Sequence, residues 1–299
     1  MRTLLTAALF GAVATLATAE DITVETARGP VAVQSAPETL VSLDLAILDI
    51  LDRLEIPVAG VAGGVKPEYL TQYGNPPYKQ LGSFFEPDLE GLNALSPDLA
   101  IVAGRSASAF DNVSSVAPTI DLTAQSTDLF GSLRRNMTEI GSLYGKEDMA
   151  AELLADLDSR LATLRQLSSE AGTALVIITT GGRMSTHGAE GRFAIVFNEM
   201  GFAPAIKEVK AGNHGQPISN EFILETNPDW VFVVDRDAAI GRDGQPAAQM
   251  LDNALVTKTK AAQADQIIFL DPADWYLVGA AGPTALERAM TQIMSALQD

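Results

Sequence analysis

The chain has 299 residues, with 38 acidic against 20 basic side chains and a formal net charge of −18 at pH 7. That balance argues against a nucleic-acid partner, which calls for a basic stripe. With no cysteine anywhere, the chain has no disulfides, no thiolate metal ligands and no lipid carried on a cysteine.

The first residues read as an export signal. Arg2 supplies a positive start, Leu4 to Leu16 is an apolar run, and Ala17-Thr18-Ala19 is an A-x-A cleavage site. The run is shorter than the roughly 20 apolar residues of a membrane span. Residues 1–19 are therefore expected to be a cleavable signal peptide, with a soluble, unlipidated mature chain starting at Glu20 in the periplasm. About 280 mature residues exceed what one core supports, which predicts two lobes.

In the first half, apolar runs of strand length lie at Thr39–Leu43, Val58–Ala62, 99–103 and Thr119–Leu122, with helical patterns at Leu45–Leu54 and Asp128–Leu143. From Glu147 to about Ser169, Met149, Leu153, Leu154, Leu157, Leu161, Leu164 and Leu167 recur at steps of three and four without Gly or Pro. This spacing predicts one long helix, closed by Gly172. Beyond it, strands are predicted at Ala174–Thr180, 230–234 and Gln266–Leu270, and helices at Phe193–Met200 and Thr284–Leu297. The alternation implies an α/β fold of two Rossmann-like lobes with mainly parallel sheets, joined by a single long interlobe helix. The expected limits are 20–145 for the first lobe, 146–171 for the helix and 172–299 for the second lobe.

An internal echo supports two similar lobes. Pro97-Asp98, an apolar run and Arg105 in the first half match Pro228-Asp229, an apolar run and Arg236 in the second. Glu90 and Glu221 each stand seven residues before the proline, and every match has the same offset of 131.

No G-x-S-x-G elbow, H-E-x-x-H pair, Walker loop or dinucleotide fingerprint is present. Catalysis is not expected. Arg105 and Arg236 each follow the C-terminal end of a predicted strand, where open α/β sheets bind ligands. Arg192 follows the loop Gly188-Ala189-Glu190-Gly191. At roughly 5 Å and an effective dielectric near 20, each guanidinium would attract a unit anion by about 3 kcal/mol before desolvation, so three of them select a multiply charged anion. His214 lies in the glycine-flanked loop Gly212-Asn213-His214-Gly215, and Tyr276 in Asp274-Trp275-Tyr276; imidazole and tyrosinate both suit iron. His187 and Arg183 share a Gly-rich stretch that suggests a loop, and neither takes a role.

With these residues in view, the mature chain resembles the substrate-binding proteins of iron-siderophore ABC importers, from about Ile22 to Gln298. The order Arg105, Arg192, His214, Arg236, Tyr276 is similar to the catecholate-siderophore binders of that class. The resemblance implies a monomeric carrier that hands a ferric catecholate to an inner-membrane ABC permease. It implies three arginines around the chelate, and His214 and Tyr276 completing the iron when the chelator supplies four oxygens. Glu90 and Glu221 would dock on the permease. No cofactor is permanently bound; Fe(III) arrives as part of the cargo. The alternatives are a haem carrier of the same class, which three arginines disfavour, and a siderophore hydrolase. The motifs do not name the chelator. Many relatives are lipoproteins with a cysteine at the cleavage site, from which this chain departs.

Overall fold

A computed structural model describes residues 21–209 and 215–298; the expected leader and His214 lie outside the described residues. The chain opens with an antiparallel hairpin of β1 (Asp21–Thr26) and β2 (Gly29–Gln34). The first lobe's sheet contains β3 (Leu40–Ser42), β4 (Gly60–Val61), β5 (Lys79–Gln80), β6 (Leu99–Val102) and β7 (Thr119–Asp121), all parallel, in the order β5-β4-β3-β6-β7.

The second sheet contains β8 (Thr173–Thr180), β9 (Arg183–His187), β10 (Ala203–Pro204), β11 (Gln216–Ile218), β12 (Trp230–Asp235) and β13 (Ile267–Leu270). Its order is β11-β9-β8-β12-β13, with β10 also on β8. β8, β12 and β13 run parallel, whereas β9 and β11 are antiparallel additions. Two α/β lobes with mainly parallel sheets are thus what the sequence pattern predicts.

The central strands read as continuous apolar runs because both faces are covered. Leu99 and Ile101 of β6, like Val176 and Ile178 of β8, point into one large core shared by the two sheets. Their alternates pack outward instead. Ala100 and Val102 meet Leu92 in one satellite core, and Leu175 and Ile177 meet Ile223 in another.

The long helix spans Glu147–Ser168. Its 22 residues extend about 33 Å, and the buried stripe Ala150, Leu154, Leu157, Leu161 and Leu164 lies against the helices Leu129–Leu143 and Pro283–Gln298. Gly172 follows at φ 98°, and a β-carbon there would fall 2.6 Å from the Asp229 carboxylate. Glycine is therefore needed for the turn into β8. The C-terminal helix lies across the first-lobe helix Leu45–Arg53, whose Asp49, fully buried, accepts bonds from the Thr284 and Ala285 N–H groups at its start. None of the helices among the described residues is long and apolar enough to cross a membrane.

The echo proves to be one structural unit used twice. Asp88 and Ser219 cap the helices Leu89–Leu95 and Asn220–Thr226, which end at left-handed Ser96 (φ 47°) and Asn227 (φ 45°). Asp98 then accepts the Thr39 N–H and Asp229 the Thr173 N–H, tying each turn to the neighbouring strand.

Two local expectations are corrected. The helical pattern at Phe193–Met200 is one turn, Ile195–Asn198, between the loop from Gly191 and the bend at Gly201. Arg183 and His187 stand on β9 rather than in a loop, because Gly181 (φ 55°) and Gly182 (φ 72°) form a two-residue hairpin turn between β8 and β9.

Candidate functional site

Between the lobes lies a cavity of about 990 Å³. Asp44, Gly104, Arg105 and Ala124 line it from the first lobe; residues 187–192, 207–209 and Gly215 line it from the second. That volume suits a ligand of several rings.

The three arginines named from sequence meet at one place. Arg105, on the loop after β6, donates to the backbone carbonyls of Leu277 (2.9 Å) and Tyr276 (2.5 Å) across the cleft. Arg192 donates to the same Tyr276 carbonyl at 2.6 Å. Arg236 donates through Nε to the Tyr276 hydroxyl at 2.7 Å and through a terminal nitrogen to the Thr180 hydroxyl at 3.1 Å. All three guanidinium carbons lie within 5.5 Å of the Tyr276 ring centre: 5.1, 4.3 and 5.5 Å for Arg105, Arg192 and Arg236. Arg105 and Arg192 line the cavity directly, whereas Arg236 joins the set through Tyr276.

Three like charges around one ring have a cost that appears in the acid–base chemistry. Burial, then the positive charge of Arg105, pulls the Arg192 guanidinium down to about 10, so it stays charged at neutral pH. Burial alone would raise the Tyr276 phenol. The hydrogen bond from Arg236 and the charges of Arg192, Arg236 and Arg105 outweigh it and leave the phenol below its ordinary value. An anion entering beside these groups relieves their mutual repulsion. Asp44 faces the same cavity, and its carboxyl is raised by burial although the Ala46 and Ile47 N–H groups bond to it.

Tyr276 is positioned by a short π-helical turn, Ala273–Leu277, after β13. Its neighbour Trp275 is buried and packs near Phe193 at 6.5 Å between ring centres; Phe193 meets His187 edge-on at 5.3 Å. The sequence reading missed His187, which is buried in the wall of the cavity. The available signal was an imidazole beside glycines 188 and 191, a few residues before Arg192.

Glu90 and Glu221 are not among the residues lining the cavity, and each is exposed in the first turn of its echo helix. The hydrogen bond from Ser219 and its own backbone N–H hold the Glu221 carboxyl below the usual range.

Two α/β lobes, a long connecting helix and a solute-sized cleft between them are the architecture of two-lobe periplasmic binding proteins, and the family and relatives are binding proteins rather than enzymes. Residues 40–273 match the family described as Periplasmic binding protein, and the chain belongs to that family. It is 34% identical over 266 residues to the petrobactin-binding protein YclQ of Bacillus subtilis, covering 88% of this chain and 82% of that one. The crystal structure of YclQ superposes with a TM-score of 0.89 at 32% identity, covering 94% of this chain and 99% of that one. The ferric-anguibactin-binding protein FatB of Vibrio anguillarum is 31% identical over 285 residues, covering 93% and 88% of the two chains. The periplasmic catecholate-siderophore binding protein VctP of Vibrio cholerae has a TM-score of 0.88 at 28% identity, covering 92% and 100%. The resemblance read from the arginine, histidine and tyrosine order is borne out at the level of the family.

Proposed function

We propose that this chain captures a ferric catecholate-type siderophore in the interlobe cleft and delivers it to an inner-membrane ABC importer. One observation carries the reading: guanidinium groups from both lobes converge on Tyr276 beside a cavity of about 990 Å³. Catecholate oxygens around Fe(III) leave the complex anionic, and arginine bonds paired oxygens in a fork. The relatives' ligands, petrobactin, ferric anguibactin and a catecholate siderophore, point the same way.

In this reading Arg105, Arg192 and Arg236 exchange their present partners for chelate oxygens. When the chelator supplies only four oxygens, Tyr276 and His214 replace water on the iron. A phenol already held below its ordinary value is the easier to deprotonate for that task. Glu90 and Glu221, one per lobe, dock on the permease. The lobes comprise residues 20–145 and 172–299, the helix region 146–171 joins them, and the C-terminal helix reaches back over the first lobe. Residues 1–19 direct export to the periplasm, where the cysteine-free chain acts as an unlipidated monomer.

The test is a titration with ferric bis-catecholate, ferric tris-catecholate, a ferric trihydroxamate, ferric citrate and hemin, followed by tryptophan quenching and visible absorption. Catecholates should bind at least about tenfold more tightly than the others, a gap of about 1.4 kcal/mol. Tighter binding of hemin, with a shifted Soret band, would replace the reading with haem transport.

A further inference from the structure

The second-lobe wall of the cleft rests on a buried ring that no ligand role has claimed. His187, the last residue of β9, is 5% exposed and lies between two glycines on separate loops. A β-carbon added at Gly191 would stand 3.0 Å from the His187 β-carbon and 3.1 Å from Nδ1. One added at Gly215 would stand 2.8 Å from its Nε2 and 2.6 Å from the Thr186 carbonyl. Both glycines thus approach the imidazole closely: a side chain at Gly215 would collide, and one at Gly191 would press the ring by a few tenths of an ångström.

The contacts continue toward the arginine cluster. Phe193 packs edge-on against His187 and is itself buried, and it is the residue after Arg192. Phe193 in turn packs near Trp275, the residue before Tyr276. Arg192 is therefore bracketed by Gly191 and Phe193, both in contact with one imidazole. β9 is hydrogen-bonded along its length to β8, so the ring projects from a rigid sheet.

We propose that His187 is a positioning residue for ligand capture: its ring, wedged between Gly191 and Gly215, sets where Arg192 stands in the cleft. This rests on the cationic-cleft reading above. The wedge acts through ring packing on the backbone of the two glycines. A long arginine fixed in advance loses less freedom when the anion arrives, which raises affinity without adding a contact.

A double-mutant cycle on the full mature chain tests this, with ferric bis-catecholate as probe and tryptophan quenching as readout. His187→Ala is expected to weaken binding about tenfold in the wild-type background but less than about twofold when Arg192 is already alanine. His187→Phe, which keeps a flat ring, should stay within about threefold of wild type. Equal losses from His187→Ala in both backgrounds would overturn the proposal, as would a His187→Phe loss matching that of alanine. If His187→Ala does not fold, by circular dichroism, Gly191→Ala presses the same contact from the other side and should show the same dependence on Arg192. Independence from Arg192 there also overturns it. If Arg192→Ala alone leaves affinity unchanged, it is the cationic-cleft reading that fails, and the cycle separates the two results.

Discussion

The two echo segments, residues 88–105 and 219–236, share their helix, turn and strand start and then part at the strand end, where β6 stops at Val102 and β12 runs on to Asp235. Each has a capped short helix, a left-handed residue, a Pro-Asp turn bonded to the next strand, and a buried strand. After β6 the chain turns at Gly104 (φ 51°), and Arg105 reaches into the other lobe to bond the backbone carbonyls of residues 276 and 277. Asp235, the last residue of β12, caps a helical turn at once, and Arg236 stays within its own lobe on the Tyr276 hydroxyl and Thr180. Equivalent positions have become different tools. One arginine bonds the backbone at 276 and only stacks near its ring; the other bonds the side-chain hydroxyl itself.

The largest expected effects break that symmetry. Arg105→Ala should weaken tetradentate and hexadentate ferric catecholates alike, by about 30-fold, as for a charge-assisted bond of about 2 kcal/mol. Arg236→Ala should cost the tetradentate complex a similar factor but the hexadentate one only about threefold, because it also releases the phenol. Fluorescence titrations with both chelates decide, and identical selectivity for the two variants would erase the distinction. Next, Tyr276→Phe leaves the carbonyl partners of Arg105 and Arg192 in place while removing one of the two hydroxyl partners of Arg236. It should cost the tetradentate complex about tenfold and change the hexadentate one little.

Smaller effects sharpen the comparison at the turns. Asp229 accepts both the backbone and hydroxyl donors of Thr173 and pairs with Lys260, whereas the Asp98 bond recorded at the matching turn is to the Thr39 N–H. Asp229→Ala should therefore destabilise by about 1–2 kcal/mol and Asp98→Ala by about 1 or less in urea unfolding. The Thr173 backbone bond, with its hydroxyl and Lys260, holds the Asp229 carboxyl below its ordinary value. Its contribution is thus complete above about pH 4 and is lost as pH falls through the lowered value. Smallest of all, Glu90→Ala and Glu221→Ala should leave the urea midpoint and chelate affinity unchanged, while reducing uptake through the permease in reconstituted vesicles.

Much of this was legible in the chain because buried parallel strands and long helices carry strong periodic signals. The 131-residue offset located both arginines, and the leucine stripe located the interlobe helix almost to the residue. Leu167 is the exception, standing 36% exposed at the C-terminal end of the stripe. The hairpin β8–β9 was not legible, since Arg-Met-Ser-Thr-His carries no alternation strong enough to mark a strand. The glycine pair before it reads equally as loop. β1 and β2, six residues each in a separate hairpin with most side chains outside the core, carry no continuous apolar run, and β5 and β10 are two residues long, set by tertiary pairing rather than propensity. For the cleft, residue types and order were readable. That three guanidinium groups share one aromatic ring requires the lobes to be assembled.

Asp49 gives the molecule a response to acidity. Its carboxyl is sealed beneath the C-terminal helix, where burial lifts it to about 7 despite the Thr284 and Ala285 donors. In the unfolded chain the same group ionises near pH 4, so between about pH 4 and 7 the native form binds the extra proton. Native stability from this group therefore grows as the surroundings acidify from neutrality and fades as they turn alkaline. A carrier working outside the cytoplasm, whose pH follows the environment, would grip its last helix most firmly in mildly acid conditions; Asp49→Asn should flatten that slope in thermal melts.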